Sequence, residues 1–222
     1  MVNIQNYGIK KKRTLKVFIN AAAQIIENKD IEAVTIRKVA EIAGYNSATI
    51  YNYFDNSNQL VSLAAIRFIN THYLKTLPDY ISQANNCLDK FLLTWECFCE
   101  YCFKHPKLYY AVFTENIGEQ PNNLFDNYYT LFPEEIKGYP QELTPMIKES
   151  NFDKRCQIAI QPCIEKGYFT KQEATQINEM IRLLYQGMLS LFINNRVNYS
   201  AEEATQKVMS HIRQIVNSIP SQ

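Results

Sequence analysis

The chain has 222 residues, of which 46% are hydrophobic and 20% charged, and its net charge is +1. This composition is typical of a soluble globular protein, and the length allows one large domain or two small ones. No apolar run reaches the roughly 18 to 20 residues that span a bilayer, and the N-terminus shows no signal-peptide pattern. We therefore expect a cytoplasmic protein with no membrane partner.

The near-neutral net charge of the whole chain conceals a basic N-terminal part. Residues 1–60 carry eight basic and five acidic side chains, a net charge of +3, whereas the remaining residues carry a net charge of −2. The second part also holds 22 of the 28 aromatic residues. This division predicts two modules with different partners, residues 1–57 and residues 58–222.

The first predicted helix runs from residue 10 to residue 28. Its apolar residues repeat at helical spacing: Leu15, Phe18, Ile19, Ala22 and Ile26. Four basic residues stand at its start, where the helix dipole favours acidic side chains; they are Lys10, Lys11, Lys12 and Arg13. This placement indicates either an external anion or a solvated basic tail.

A helix-turn-helix is predicted next. Thr35 is a suitable N-cap for a second helix, and Gly44 can adopt the left-handed conformation that ends it. Asn46 or Ser47 can then cap a third helix over residues 48–53. Two short helices joined by a tight glycine-containing turn form a helix-turn-helix.

The third helix carries side chains suited to DNA. Arg37, in the preceding helix, is long enough for a bidentate contact with guanine. Tyr51 and Tyr53 can present hydroxyl groups to phosphates, whereas Ile50 and Phe54 are expected to pack in the core. Three short residues allow close approach to a base edge: Ser47, Ala48 and Thr49.

The helix-turn-helix segment contains a specific combination of residues. Thr-x-Arg, Ala-Gly and Thr-Ile-Tyr-x-Tyr-Phe follow one another between Thr35 and Phe54, and Leu60 comes shortly after. With these spacings, residues 10–62 resemble the DNA-binding region of the tetracycline-repressor (TetR) family of bacterial transcriptional regulators. The resemblance implies a homodimer in which the third helix of each chain enters a major groove. The residues that would face DNA are Thr35, Arg37, Asn46, Ser47, Ala48, Thr49, Tyr51 and Tyr53.

One position departs from the family pattern. Ser57 stands at the start of the fourth helix, where the family usually has a lysine. Loss of that charge is expected to remove a phosphate contact and to flatten the salt dependence of DNA binding. We expect the basic residues from Lys10 to Arg13 to compensate by contacting flanking phosphates.

Six more helices are predicted in the second module, which gives an all-α chain of about nine helices. Pro78 is expected to end the first of the six, and residues 118–145 are expected to form an irregular loop that is functional or mobile and could gate a pocket. By resemblance, this module is a helical bundle for effector binding and dimerisation. The predicted segments are 58–76, 88–104, 107–116, 145–166, 171–196 and 201–219.

The last two predicted helices are amphipathic. Two such hairpins from two chains can form a four-helix interface around a two-fold axis, which in turn predicts a palindromic operator. The alternative is that these residues complete the core of one chain. The predicted interface residues are Ile181, Met188, Phe192, Val208, Ile212 and Ile215.

The excess of aromatic residues indicates a pocket for a small apolar or aromatic effector, because ligand pockets are mostly apolar. No buried basic residue is expected to anchor an acidic effector. The alternative is ordinary core packing. The predicted lining residues are Trp95, Phe98, Tyr101, Tyr109, Tyr110, Phe113, Phe152, Tyr168 and Tyr185.

Other function classes are less well supported. Cys97, Cys99 and Cys102 cannot bind one metal ion from one helix, since Cys97 lies on a different side from Cys99. We expect them to be core residues, with a thiol redox sensor as an alternative. No catalytic motif, metal site or cofactor is predicted. A DNA-binding adaptor of the same fold without an effector is a further alternative, and the sequence is compatible with repression or activation.

Overall fold

The computed structural model describes residues 4, 7–114 and 124–218, and all regular elements among these residues are helices. This confirms the predicted all-α class. A π-helical turn, Asn70–Leu74, joins α4 to α5, and short 3-10 turns lie at Ile31–Ala33 and Gln141–Leu143. The thirteen α-helices of the described residues are α1 (Ile9–Asn28), α2 (Ile36–Ala43), α3 (Ser47–Ile50), α4 (Ser57–Ile69), α5 (Lys75–Ile81), α6 (Cys87–Lys104), α7 (Pro106–Phe113), α8 (Leu124–Leu131), α9 (Pro133–Lys137), α10 (Thr144–Lys148), α11 (Phe152–Glu165), α12 (Lys171–Ile193) and α13 (Ala201–Asn217).

The helices group into two compact units. The first unit contains residues 1–72 and 107–140, and the second contains residues 73–106 and 141–222. The predicted domain boundary after residue 57 therefore falls inside the first unit, because α4 packs along α1 and α8 packs on α4.

The core of the first unit follows the predicted stripe of α1. Leu15, Phe18, Ile19, Ala22 and Ile26 are all buried. Across from them, α4 is buried on most of its surface, with Leu60 and Leu63 among the enclosed side chains. Each fully buried aliphatic or aromatic side chain contributes roughly 1.5–3 kcal/mol, so the α1–α4 contact is a main source of stability for this unit.

The predicted ends of the helices need several corrections. Pro78 does not end the helix over residues 58–76. The helix passes through the π-helical turn and continues to Ile81. Pro78 has no amide hydrogen and cannot donate to the carbonyl of Leu74, four residues earlier. Leu74 is also the last residue of the π-helical turn.

The loop predicted over residues 118–145 is largely helical where it is described. Residues 124–148 form α8, α9 and α10, and these helices account for most of the excess over the predicted nine. Residues 118–123 of the predicted loop lie outside the described residues. The same holds for residues 115 and 116, at the end of the predicted helix over 107–116, and for residue 219, at the end of the predicted helix over 201–219.

In the second unit, α6 packs against α5, α11, α12 and α13. The predicted helix over residues 145–166 is interrupted because Asn151 caps α11, accepting from the Lys154 amide at 3.0 Å. Gly167 follows α11 with φ 76°, just after the end of the predicted segment 145–166. Capping boxes at Thr170 and Ser200 begin α12 and α13.

Candidate DNA-binding interface

The helix-turn-helix forms at the predicted residues. Thr35 caps α2, and its hydroxyl accepts from the Lys38 amide at 3.3 Å. Gly44 ends α2 with φ 72°, a backbone conformation that favours glycine. Of the two predicted caps for α3, Asn46 is the one used, since its Oδ1 accepts from the Ala48 amide at 2.9 Å.

The third helix is shorter than predicted. It ends at Ile50 rather than at residue 53, and the chain then forms a turn. The turn directs two aromatic rings toward the core, with centroids 5.5 Å (Tyr53) and 6.2 Å (Phe54) from that of Phe18. Ile50 and Phe54 are buried, as predicted.

Most side chains predicted to contact DNA are accessible in this unit. Tyr51 is 61% exposed, and its ring stands out beyond the end of α3. Thr35 and Asn46 have a structural role as caps in addition to any DNA contact. The exposed positions are Thr35, Arg37, Asn46, Ala48 and Tyr51, and the half-buried ones are Ser47, Thr49 and Tyr53.

The basic start of α1 lies beside the end of α3. The Lys11 Nζ is 3.6 Å from the centroid of Tyr7 and 5.8 Å from that of Tyr53. Lys10 and Arg13 are exposed, and Lys12 is half-buried. This brings the positive charge of Lys11 next to Tyr53, one of the two tyrosines predicted to contact phosphate.

Ser57, the position without the expected lysine, is the first residue of α4 and is exposed. The helix is capped by Asn56, whose Oδ1 accepts from the Gln59 amide at 2.9 Å.

Two ion pairs that the sequence did not reveal join distant parts of the first unit. Lys16 on α1 lies 3.2 Å from Glu134 on α9, and Arg67 on α4 pairs with Glu135. The hydrogen bond from Lys16 holds the pKa of the Glu134 carboxyl below its ordinary value. Both cations also lie over the Phe132 ring, at 5.0 and 4.6 Å from its centroid. The partners are too far apart in sequence for any local pattern to predict them.

Further contacts join residues 107–140 to α4 and to the helix-turn-helix. Lys107 pairs with Glu32, in the turn before α2, and this hydrogen bond raises the pKa of Lys107. Tyr129 donates to the Asn70 side chain at 2.8 Å, and Tyr139 donates to the Asn70 carbonyl at 3.1 Å. Asn70 is the first residue of the π-helical turn.

The structure brings together only part of the predicted aromatic pocket. Four of the rings form one cluster in the second unit, with neighbouring centroids 5.2–5.6 Å apart: Trp95, Phe98, Phe152 and Tyr185. Tyr101 instead hydrogen bonds to Thr76 at 2.9 Å. Tyr109, Tyr110 and Phe113 belong to the other unit, and Tyr168 is exposed.

A small cavity of about 30 Å³ lies beside this cluster, with Trp95, Phe98 and Phe152 in its wall. The expectation that no buried basic residue would be found was wrong. Arg155 is 6% exposed and lines the cavity, and it donates to the Glu149 carbonyl at 3.2 Å. The sequence feature that indicates this burial is the position of Arg155 one turn after Phe152, on the inner face of α11.

The predicted dimer residues also need correction. Ile181, Val208 and Ile212 have no exposed surface within a single chain, because α12 and α13 pack on α6 and on each other. These three residues complete the core of the chain and offer no surface to a partner. Met188, Phe192 and Ile215 are half-buried. The exposed apolar residues of α12 are Met180, Leu183 and Leu191.

The cysteines predicted to be core residues are indeed buried: Cys97, Cys99 and Cys102. Burial raises the pKa of Cys97 to about 12, and it raises the pKa of the other two thiols as well. The thiolate is the reactive form, so these three positions are poorly suited to redox sensing. Cys87 is the partly exposed cysteine.

In the part of the chain that the structure covers, no group of three or more His, Cys, Asp or Glu side chains is arranged to hold a metal ion. Among the same residues, none of the helices combines the length and apolar character needed to cross a membrane.

Comparison with known proteins gives a match over the helix-turn-helix region. Residues 18–64 match the family model described as bacterial regulatory proteins, tetR family. No curated protein sequence matches the chain.

Solved structures share the fold. One is described as a TetR-family regulator from Syntrophomonas wolfei, with 14% identity, a TM-score of 0.55, and coverage of 94% of this chain and 97% of that one. Another is the fatty acid degradation regulator FadR from Bacillus halodurans, with 16% identity, a TM-score of 0.53, and coverage of 98% and 100%. Residues 18–64 are thus similar to the tetR family model, and the chain shares the fold of these solved structures.

Proposed function

We propose that this DNA-binding regulator is a homodimeric repressor that binds a palindromic operator and is released by a small apolar or aromatic effector. The single observation that carries the DNA-binding part is the geometry around α3. Asn46, Ala48 and Tyr51 are exposed around α3, and Lys11 lies beside Tyr53. This arrangement offers short side chains to bases and cations to phosphates.

The exposed face of α12 supports the dimer part of the proposal. Met180, Leu183 and Leu191 recur at helical spacing on one side of the helix, with Gly187 among them. A Cβ added at Gly187 would meet nothing within 4 Å, so a second helix could approach closely there. A dimer formed through this face would carry two copies of α3, one for each half-site of a palindromic operator.

The aromatic cavity supports the effector part. Its walls are mostly apolar, and Arg155 adds a cation that would favour an effector with an acidic or acceptor group. Its volume is about that of one water molecule, so an effector would have to open it. An effector that prefers the opened form would shift the population away from the form that binds DNA.

The test is operator binding by the full-length chain, measured by fluorescence anisotropy on the promoter beside its own gene. Arg37→Ala should weaken specific binding by about 1–3 kcal/mol, roughly 5- to 150-fold, because a bidentate base contact is lost. The matched control is Arg196→Ala, at an exposed position of the second unit. Equal affinities for wild type and Arg37→Ala would contradict the proposed interface. A compound library that never alters binding would contradict the effector.

The small volume of the cavity favours one second candidate, an adaptor of the same fold that lacks an effector. Such a protein would bind the operator with unchanged affinity in the presence of every compound. It would instead form a stable complex with another protein on the operator. Co-purification of the DNA-bound dimer with a stoichiometric partner, together with no response to compounds, would favour the adaptor over the repressor.

A further inference from the structure

Two cysteines of the second unit face each other between neighbouring helices. Cys87 is the first residue of α6, and Cys163 lies in the last turn of α11. The two helices pack together, and a hydrogen bond joins the two thiols. Both cysteines are free. Two free thiols in contact can be joined as a disulfide once an oxidant has reacted with one of them.

The register of α6 against α11 accounts for this contact. Near the start of α11, Phe152 packs on Phe98 with the ring centroids 5.5 Å apart. Cys87 stands eleven residues before Phe98, and Cys163 stands eleven residues after Phe152. Eleven residues make about three helical turns, or roughly 16 Å, so each cysteine lies on the same face of its helix as the phenylalanine. Because the two helices run in opposite directions, these equal steps bring the cysteines together.

The two thiols differ in their access to solvent. Cys87 is half-buried, and its neighbours Asn85 and Asn86 are exposed, so Cys87 is the member of the pair that an oxidant in solution can approach. Cys163 has no exposed surface. Burial, followed by the contact with Cys87, raises the pKa of Cys163 to about 12. Since the thiolate is the form that attacks an oxidant, Cys87 is the thiol that reacts first.

Both cysteines lie where the backbone can adjust to a disulfide, which requires a specific distance and dihedral angle. Cys87 begins its helix and Cys163 is close to the end of its own, and helix ends are the parts that fray most readily. Pro162 stands inside α11 directly before Cys163 and cannot donate to the carbonyl of Ile158. A local shift can therefore bring the two sulfur atoms to bonding distance while the rest of each helix stays in place.

We propose that Cys87 and Cys163 are a peroxide-sensitive thiol pair, which closes to an intrachain disulfide when Cys87 is oxidised. The disulfide fixes the first turn of α6 to the last turn of α11. Both helices contribute residues to the wall of the aromatic cavity, so oxidation holds the two sides of that wall together. This modification requires neither DNA nor an effector.

The atoms and electrons balance with a hydroperoxide as the oxidant. The Cys87 thiolate attacks the peroxide, an S–O bond forms, the O–O bond breaks, and the departing oxygen takes up a proton to give water or an alcohol. The sulfur of Cys163 then attacks the sulfur of Cys87. An S–S bond forms, and the hydroxyl group leaves with the proton of Cys163 as water. Together the two thiols lose two electrons and two protons, and the peroxide gains them.

The test uses the full-length chain without DNA. An equimolar amount of hydrogen peroxide is added, the remaining thiols are blocked with iodoacetamide, and tryptic peptides are analysed by mass spectrometry. We expect one pair of peptides linked through Cys87 and Cys163, which dithiothreitol separates. Cys163→Ala should abolish this link and increase the trapping of the Cys87 sulfenic acid by dimedone at least about tenfold. Cys99→Ala, at a buried cysteine of α6, should leave the yield of the link unchanged.

Three results would overturn the proposal. The first is oxidation of Cys87 to a sulfinic acid without any link to Cys163. The second is a covalent dimer joined through two Cys87 residues on a non-reducing gel, which would place this cysteine against a second copy of the chain. The third is a link that persists in Cys163→Ala. Cys156 shares the tryptic peptide of Cys163, so a persistent link would assign the partner role to Cys156.

A second variant keeps the test decisive if Cys163→Ala does not fold. Cys87→Ala changes a half-buried position, and this variant should lose both the link and the dimedone label. An equally strong label on another cysteine of Cys87→Ala would show that the pair is not the reactive site. Because DNA is absent, failure of the repressor proposal would not affect these results. A chain that forms the disulfide but binds no operator would sink only the proposed function.

Discussion

Replacing both Lys10 and Arg13 by glutamine should flatten the salt dependence of operator binding. These two residues are the exposed members of the basic start of α1, whereas Lys11 and Lys12 are half-buried. If each exposed cation contacts one phosphate, a dimer loses four contacts, and the slope of log K against log salt falls by about 3.6. Between about 50 and 200 mM salt, the wild type should therefore lose roughly 150-fold more affinity than the variant.

The assay is fluorescence anisotropy on an operator duplex at four or five salt concentrations in that range. Lys148→Gln combined with Lys154→Gln removes the same charge from exposed positions of the second unit, and this control should keep the wild-type slope. Equal slopes for the wild type and the Lys10/Arg13 variant would refute the assignment. Equal flattening in both variants would show that net charge, rather than contact with phosphate, sets the salt dependence.

Three further expectations concern the second unit. Leu183→Glu should weaken dimerisation by about 100-fold or more, because Leu183 is 61% exposed in one chain and a two-fold contact would bury two added charges; sedimentation that still shows a stable dimer would contradict this. At pH 8 about one Cys97 thiol in ten thousand should be ionised, given its pKa of about 12, so mass spectrometry should find Cys87 alkylated by iodoacetamide well before it. Finally, hydrogen bonds from Thr170 hold the pKa of Glu173 below its ordinary value of 4.5. The stability that these bonds give is present above pH 4.5 and is lost as the pH falls through the lowered pKa. Glu173→Gln should therefore flatten the pH dependence of thermal stability in this acid range, and an unchanged pH profile would argue against the capping role of Glu173.

The parts of the fold that sequence analysis predicted well depend on local interactions. Thr35 and Gly44 bound α2 as expected, because a cap and a left-handed turn are properties of a few consecutive residues. The buried stripe of α1 was also predictable, since helical periodicity records which face is apolar. No local sequence pattern indicates which element packs against a given apolar helix face. For this reason Ile181 and Val208 were assigned to a dimer contact, although α6 and the packing of α12 on α13 enclose them in one chain.

The remaining differences arise from contacts between residues far apart in sequence. Pro78 is an ordinary helix terminator by local rules, yet it lies inside α5, which follows a π-helical turn. The sequence does not predict the burial of Arg155, because a basic residue in an amphipathic helix is usually solvated. Its burial depends on the elements that pack around α11. Tertiary packing decides where such a helix ends and whether such a side chain is buried.

The contacts inside the first unit bear on how an effector signal could reach DNA. Lys16 and Arg67 tie α1 and α4 to α9 through ion pairs, and Phe132 lies beneath both cations. Lys107 adds a third link, to Glu32 just before α2. Lys107, Glu134 and Glu135 thus link the described parts of residues 107–140 to the turn before α2, to α1 and to α4. A shift of these three residues would act on α1, α2 and α4 together, so we expect the DNA-binding helices to respond as one body rather than through α4 alone.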